Sequence, residues 1–207
     1  MTRRALRERA ERINRALADL FPDARCSLNF GTTWELLVAV ILSAQCTDKK
    51  VNEVTAPLFK KYPTLDAYVE ADPPIFERDI FQTGFYRAKT KHILTTARIL
   101  KDQFGGEVPR TMQEILTLRG VARKTANVVL GNAYGVVEGI AVDTHVRRLS
   151  RLLGLTKQYN PDKIEQDLMG LIPSEEWLLF THRLIAYGRT YCRARTHDHA
   201  HCPLATI

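Results

Sequence analysis

The sequence lacks any run of apolar residues long enough to cross a membrane, which takes about 18 in succession. It also lacks the charged and then apolar N-terminal stretch, ending in small residues, that is typical of a secretory signal. These absences predict a protein with no membrane partner and a cytoplasmic location.

Cysteine is scarce as well. The cysteines at 26, 46, 192 and 202 are too few and too scattered among 207 residues for a disulfide framework, so we expect reduced thiols or metal ligands. Hydrophobic residues make up 45% of the chain, which is enough for a sizeable core in one large domain or in two small, interleaved ones.

Acidic residues are in the minority, with 23 Asp and Glu against 30 Lys and Arg and a net charge of +7. A basic protein suits a polyanionic partner such as nucleic acid, although charge alone is weak evidence. Arginines crowd the N-terminal segment at Arg3, Arg4, Arg7, Arg9 and Arg12, with Glu8 and Glu11 at helical spacings among them. This segment is therefore either a solvated helix face or a phosphate-contacting one.

Alternating strand patterns are almost absent, and apolar residues recur at helical spacing along the whole chain. Thr32 and Glu35 form a capping box before an apolar segment that runs to Leu42, which predicts a helix buried on all sides. A long helix from Tyr86 should end at the glycines 105 and 106. The pattern predicts an all-α fold.

A tight turn is expected at residues 118–122, between a short helix that ends near Leu116 and an apolar helix over Thr125–Tyr134. Gly120 permits the backbone conformation that such a turn needs, and the amides at the start of the second helix form a ready anion site. A DNA phosphate could dock there, but an ordinary corner between two helices explains the turn equally well.

Three separated motifs make the interpretation specific: LSAQCTDK at 42–49, LRGVARKTANVVL at 118–130 and AVDTHV at 141–146. Together they resemble the endonuclease III family of DNA glycosylase/AP lyases, in the helix-hairpin-helix superfamily, over nearly the whole chain. The resemblance implies a six-helix barrel domain at 25–137, with its hairpin at about 112–134. It also implies a second helical domain built from 1–24 and 138–207.

Lys124 occupies the position of the family's nucleophile. Its attack on a sugar carbon requires a neutral amine, which the positive end of the helix dipole and the nearby Arg119 and Arg123 should favour. Asp143 matches the family's acidic partner, and it is also a good N-cap for the helix that follows. Both interpretations of Asp143 remain open, because a capping aspartate stays rigid and ionised.

The resemblance implies base-excision repair of duplex DNA with damaged bases, chiefly oxidised pyrimidines, or abasic sites. Lys124 would attack the anomeric carbon of the flipped nucleotide, the base would leave as a Schiff base forms, and β-elimination would then cut the strand. No cofactor is needed for this chemistry. We expect a monomer, associated with the nucleoid in a bacterium.

Further residues match positions that contact DNA in the family. Gln45 matches the residue that fills the gap left by the flipped base, and Phe85 matches an apolar wedge, although each could simply belong to the core or end a helix. The complete predicted set comprises Ser43, Gln45, Asp48, Phe85, Arg119, Gly120, Val121, Ala122, Thr125 and His145.

The hairpin departs from the family at two positions. Arg119 replaces the usual proline, and Ala122 replaces a second glycine. Alanine is small enough to let a phosphate approach, and Arg119 can add a charged contact. These exchanges predict a changed DNA affinity and a retained function.

The tail departs further, because most of the family binds a 4Fe-4S cluster through a Cys-x6-Cys-x2-Cys-x5-Cys motif. Cys192 and Cys202 match its first and third ligands, His199 stands at the second, and the sequence ends at Ile207, before the fourth. The expectation is a degenerate loop at 192–207 whose cluster is absent or incomplete. A zinc or other soft-metal site made by Cys192, His197, His199, His201 and Cys202 is an alternative.

Other functions remain open on the sequence alone. A monofunctional mismatch glycosylase would not need Lys124, and a non-enzymatic helix-hairpin-helix DNA-binding module would need neither Lys124 nor Asp143. A degenerate paralogue that its broken tail leaves unfolded is a third possibility.

Overall fold

The computed structural model describes residues 2–195 and 197–207, and none of these residues lies in a β-strand. The all-α prediction is therefore confirmed. The α-helices are α1 Arg3–Leu20, α2 Thr33–Leu42, α3 Asp48–Lys61, α4 Leu65–Val69, α5 Pro73–Asp79, α6 Tyr86–Gln103, α7 Met112–Ile115, α8 Arg123–Tyr134, α9 Thr144–Leu152, α10 Pro161–Met169 and α11 Trp177–Thr190. Short 3-10 turns lie at Phe81–Thr83, Ser174–Glu176 and His199–His201.

Two compact units form from this chain. One unit is Ser27–Val136, and the other combines Met1–Cys26 with Val137–Ile207. Among the described residues, no helix combines the length and the apolar character that a membrane crossing needs.

The unit Ser27–Val136 is built around α2. The predicted capping box is present, because the Thr32 hydroxyl accepts from the Glu35 amide at 3.1 Å and the Glu35 carboxylate accepts from the Thr32 amide at 3.2 Å. Residues 36–42 are all buried, as expected for a helix without a polar face. Helices α3, α6 and α8 pack against α2. Through this packing, α2 holds in place the turns that lead into the three helices.

The core of the other unit is formed by α1, α9, α10 and α11 with the C-terminal loop. Its largest fully buried side chains include Ile13, Leu17, Phe180 and Tyr187. The Tyr187 hydroxyl accepts from the Leu204 amide at 3.3 Å, which attaches the C-terminal loop to α11. Burial raises the pKa of Tyr187 to about 12.

Helix ends follow the sequence signals closely. Helix α6 starts at Tyr86 and ends just before Gly105 and Gly106, whose φ values are 61° and 85°. The Gly106 amide donates to the Leu100 carbonyl at 2.9 Å, which satisfies the helix end. Helix α8 begins at Arg123, two residues earlier than the predicted Thr125, because a first turn needs no apolar side chain.

Candidate functional site

The hairpin between α7 and α8 depends on a glycine at position 120. Gly120 has a φ of 76°, in the left-handed region that side chains disfavour. A Cβ atom there would lie 2.7 Å from His92 Nδ1 and 2.9 Å from His92 Cβ. Since the second of these atoms is next to the backbone of α6, only a glycine lets the hairpin approach α6 this closely.

Contacts on both sides of Gly120 hold the hairpin in place. Leu118 and Val121 are buried, and the Thr96 hydroxyl of α6 donates to the Arg119 carbonyl at 3.0 Å. The Arg119 side chain itself is exposed. The turn is therefore fixed by its contacts with the rest of the unit, and it carries an exposed guanidinium group.

Ala122 is the N-cap residue of α8. Its backbone is extended, with φ −99° and ψ 170°, so the exchange of the family's second glycine for alanine costs no strain here. The methyl side chain of Ala122 offers no oxygen to cap the first amides of α8. These amides, at the positive end of the helix dipole, form a site for an anion.

Lys124 and Thr125 are the second and third residues of α8, and both side chains are half-buried. The predicted nucleophile thus lies in the same helical turn as the anion site.

Asp143 is the N-cap of α9, as the sequence predicted. Its Oδ1 accepts from the Val146 amide at 2.8 Å, and its Oδ2 lies 3.0 Å from His145 Nδ1. The Asp143 side chain is 19% exposed. One oxygen therefore fixes the carboxylate, and the other remains near an imidazole and open enough to meet a substrate.

Gly188 of α11 makes room for this pair, and sequence reasoning missed it. A Cβ atom on Gly188 would lie 3.0 Å from both His145 Cδ2 and Leu149 Cδ1. A glycine inside a helix is otherwise unfavourable, which is the only signal that the sequence offers.

Gln45 lies in the turn that follows α2. Its side chain is exposed and its φ is 53°, in the left-handed region. The nearby Ser43 caps α2, and its hydroxyl donates to the Val40 carbonyl at 2.8 Å. This hydrogen bond accounts for Ser43 without a ligand. The exposed side chain of Gln45, in contrast, lies on a turn with a strained backbone.

Phe85 is the residue before α6. It is 65% exposed and has a φ of 48°, and Gly84 beside it has a φ of 68°. An exposed phenylalanine on a strained backbone is not a core residue, so the alternative that placed Phe85 in the core is wrong.

Asp48 is the first residue of α3, and the Ser27 hydroxyl donates to its carboxylate. The structure places Asp48 directly after the turn that carries Gln45. The hydrogen bond between Ser27 and Asp48 attaches the start of the unit Ser27–Val136 to α3.

The C-terminal loop gathers two thiols and two imidazoles. The ligand atoms of Cys192, His197, His199 and Cys202 all lie within 4.8 Å of one another. His197 Nε2 lies 3.2 Å from Cys202 Sγ, and His199 Nδ1 lies 3.6 Å from Cys192 Sγ. His201, in contrast, turns outward and pairs with Asp198 at 2.8 Å.

This convergence corrects the expectation of a degenerate loop whose iron–sulfur cluster is absent or incomplete. The loop positions a full set of four donors for a metal, and His197, which no cysteine spacing predicts, supplies the fourth. Thiolates and imidazoles together ligate single zinc ions, and imidazoles also replace thiolates in some iron–sulfur centres. The donor chemistry therefore fits a metal group, and the four ligands exclude His201.

Neighbouring residues support this loop. The Arg148 guanidinium of α9 donates to the Cys192 carbonyl at 2.6 Å and lies 3.6 Å from its sulfur. Burial raises the pKa of the Cys202 thiol, and the neighbouring Cys192 raises it further. The raised pKa favours the protonated thiol, whereas a bound metal ion would favour the thiolate.

The basic N-terminal helix is partly structural. Arg9 donates to the Leu153 carbonyl at 2.8 Å and to the Ile207 carbonyl at 2.7 Å. Arg4 pairs with Glu8 along the exposed face of the helix. Arg9 is thus a packing residue, and the exposed Arg3, Arg7 and Arg12 remain available to a phosphate backbone.

Comparisons with known proteins agree with the geometry of the hairpin. Residues 38–174 match the model of the HhH-GPD superfamily of base excision DNA repair proteins. The chain is 50% identical to endonuclease III of Synechocystis sp. over 201 residues, which cover 97% of this chain and 92% of that protein. It is 44% identical to endonuclease III of Bacillus subtilis over 192 residues, covering 92% and 87%.

Solved structures give the same result. A trapped covalent intermediate of endonuclease III with DNA is similar with a TM-score of 0.92 and 44% identity, covering 96% of this chain and 93% of that one. A non-covalent complex of endonuclease III with DNA has a TM-score of 0.93 and 43% identity, covering 97% and 94%. The identity, the coverage and the all-helical fold together show that this chain belongs to the endonuclease III family of the HhH-GPD superfamily.

Proposed function

We propose that this protein is a bifunctional DNA glycosylase and AP lyase of base-excision repair. The observation that carries the proposal is the position of Lys124, which lies one residue into the helix whose first amides form the hairpin's anion site. A similar protein, 44% identical to this chain, has been trapped as a covalent intermediate with DNA, and such an intermediate requires a nucleophile.

In this proposal the damaged nucleotide leaves the helical stack, and the neutral amine of Lys124 attacks its anomeric sugar carbon. The glycosidic bond breaks, and the base departs with the bonding electrons and takes up a proton. The sugar ring opens to give a Schiff base on Lys124. Loss of a proton from the adjacent carbon then expels the 3′ phosphate, which cuts the strand by β-elimination.

Asp143 would stabilise the positive charge that develops on the sugar and accept a proton from Lys124. Its bond to the Val146 amide keeps the carboxylate rigid, so little reorganisation is needed when the charge appears. His145, 3.0 Å from the other oxygen, would orient that oxygen.

The substrate in this proposal is duplex DNA with an oxidised pyrimidine or an abasic site. The hairpin amides and Arg119 would hold a phosphate, and the net charge of +7 favours binding to a polyanion. Gln45 and Phe85 would enter the duplex where the base has left, with Ser43, Asp48 and Thr125 beside them. In a bacterium, chromosomal DNA as the substrate would place the protein in the cytoplasm.

We further propose that Cys192, His197, His199 and Cys202 hold a metal group that stabilises the C-terminal loop. When bound, the group would cross-link the loop and take no part in the reaction. Metal analysis and the visible absorption of the purified protein test this: zinc or an iron–sulfur chromophore supports it, and a metal-free, fully folded protein contradicts it.

Borohydride trapping on duplexes that contain an abasic site or thymine glycol tests the enzymatic proposal. The wild type and Lys101→Ala, which removes an exposed lysine paired with Asp66, should both crosslink. Lys124→Ala should not. A folded, DNA-bound wild type that never crosslinks would favour the monofunctional glycosylase or the binding module instead.

A further inference from the structure

Two turns of this protein share a strained backbone. Among residues 2–195 and 197–207, Gln45 and Phe85 are the only non-glycine residues with a positive φ, at 53° and 48°. Such conformations persist only where the surrounding structure enforces them. Both residues also have exposed side chains, so packing of those side chains does not enforce the strain.

Lys89, in the first turns of α6, connects the two turns. Its ammonium group donates to the Leu42 carbonyl at 2.8 Å, three residues before Gln45, and to the Thr83 carbonyl at 2.8 Å, two residues before Phe85. Its own backbone amide donates to the Phe85 carbonyl at 3.1 Å. Lys89 therefore contacts the main chain shortly before the Gln45 turn and shortly before the Phe85 turn.

The burial of this lysine is costly. Lys89 is only 4% exposed, and within the described ranges no carboxylate lies at ion-pair distance from it. Burial lowers its pKa, against a smaller opposite effect of Cys46. An apolar residue would fill the same space without this desolvation cost, so packing alone does not account for a lysine here.

We propose that Lys89 is a positioning residue that holds the Gln45 and Phe85 turns in one fixed arrangement, so that both side chains enter the DNA together. This inference rests on the proposed function, in which Gln45 and Phe85 fill the site of the flipped base. The link is between main-chain atoms, and it would therefore preserve the spacing of the turns whichever base is removed.

The test uses a duplex with an abasic site opposite 2-aminopurine, whose fluorescence rises when the protein disturbs its stacking. Lys89→Met keeps an unbranched apolar stem of four atoms and removes the ammonium donors. We expect it to lose most of the fluorescence rise and to bind about tenfold more weakly, comparable to the loss of one stacking contact. Lys101→Met is the matched control, because it removes an exposed lysine at the far end of the same helix, and it should behave as the wild type.

A double-mutant cycle separates positioning from a general loss of structure. The effect of Lys89→Met on DNA affinity is measured in the wild-type background and again in a background that carries both Gln45→Ala and Phe85→Ala. Positioning predicts little further loss once the entering side chains are gone. The same fold-loss in both backgrounds would overturn the proposal.

Two further controls keep the outcomes distinct. If Lys89→Met does not melt cooperatively, Lys89→Gln takes its place. Its shorter side chain carries a neutral donor that cannot hold both carbonyls as the ammonium does, so a reduced fluorescence rise is expected, whereas a full rise contradicts the proposal. Borohydride trapping of the wild type is measured separately. A wild type that crosslinks, with a Lys89→Met variant that retains the full fluorescence rise, refutes the positioning role and leaves the lyase function standing.

Discussion

The Nδ1 atom of His145 lies 3.0 Å from Oδ2 of Asp143, while the other carboxylate oxygen of Asp143 caps α9 through the Val146 amide. The two oxygens of one side chain thus have separate contacts. This division allows the structural role of Asp143 to be separated from its chemical role by experiment.

Asp143→Asn should separate these roles. Asparagine caps helices as well as aspartate does, so the free energy of unfolding should change by less than about 0.5 kcal/mol. The neutral amide cannot stabilise a cationic sugar or accept a proton, and we expect the rate of Schiff-base formation to fall about 100-fold. Thermal melting and single-turnover trapping measure the two effects. A wild-type trapping rate in a stable Asp143→Asn variant would show that Asp143 is only a cap.

Gly188→Ala should shift His145 by a few tenths of an ångström relative to Asp143. The added Cβ would be 3.0 Å from His145 Cδ2, closer than side-chain carbons normally pack, so the imidazole must move. We expect slower trapping, although the alanine itself favours the helix by up to about 1 kcal/mol.

Gly170→Ala is the matched control for this substitution. Gly170 ends α10 with a φ of −74°, and a Cβ there would meet its nearest atom at 3.5 Å, an ordinary contact. Trapping by this variant should equal that of the wild type. Equal rates for the two alanine variants would contradict a role for His145.

Gly120→Ala should weaken DNA binding, and Gly135→Ala provides the comparison at the other end of α8. Both glycines have left-handed backbones, with φ of 76° and 66°, so each alanine costs about 1–2 kcal/mol of stability. Only the Cβ at position 120 collides, with His92, whereas nothing lies within 4 Å at position 135. We expect Gly120→Ala to be the less stable variant and to lose about tenfold or more in DNA affinity. The same affinity in both variants would argue against the hairpin as the phosphate site.

Local signals in the sequence were enough to predict where several of the helices begin or end. Thr32 and Glu35 form the capping box that their spacing indicates, and glycines 105 and 106 end α6 as expected. These features involve residues within one or two turns of each other. Their structure is therefore decided mostly by local hydrogen bonds and backbone freedom.

Contacts between distant segments could not be predicted in this way. Lys89 reaches back 47 residues to Leu42, and Arg9 reaches 198 residues to Ile207. The sequence named three histidines as possible zinc ligands, and only the folded loop shows that His197 and His199 join the cysteines while His201 does not. A spacing rule based on cysteines alone led to the wrong expectation for this loop.

Metal removal should destabilise the C-terminal loop. Four donors that lose their metal leave two buried thiols and two imidazoles without a cross-link, so a chelator should lower the melting temperature. His199→Ala should bind less metal than the wild type, whereas His201→Ala should keep the full amount, because His201 pairs with Asp198 outside the donor set. Elemental analysis of the three proteins measures this. Full metal content in His199→Ala would contradict the assignment of that ligand.

The identity of the residue that carries the sugar tests the central claim most directly. After borohydride reduction on abasic DNA, the crosslinked protein is digested and the modified peptide is located by mass spectrometry. We predict a reduced sugar adduct on Lys124, in the second position of α8. An adduct on any other lysine, or on the N-terminal amine, would contradict the assignment of Lys124 as the nucleophile.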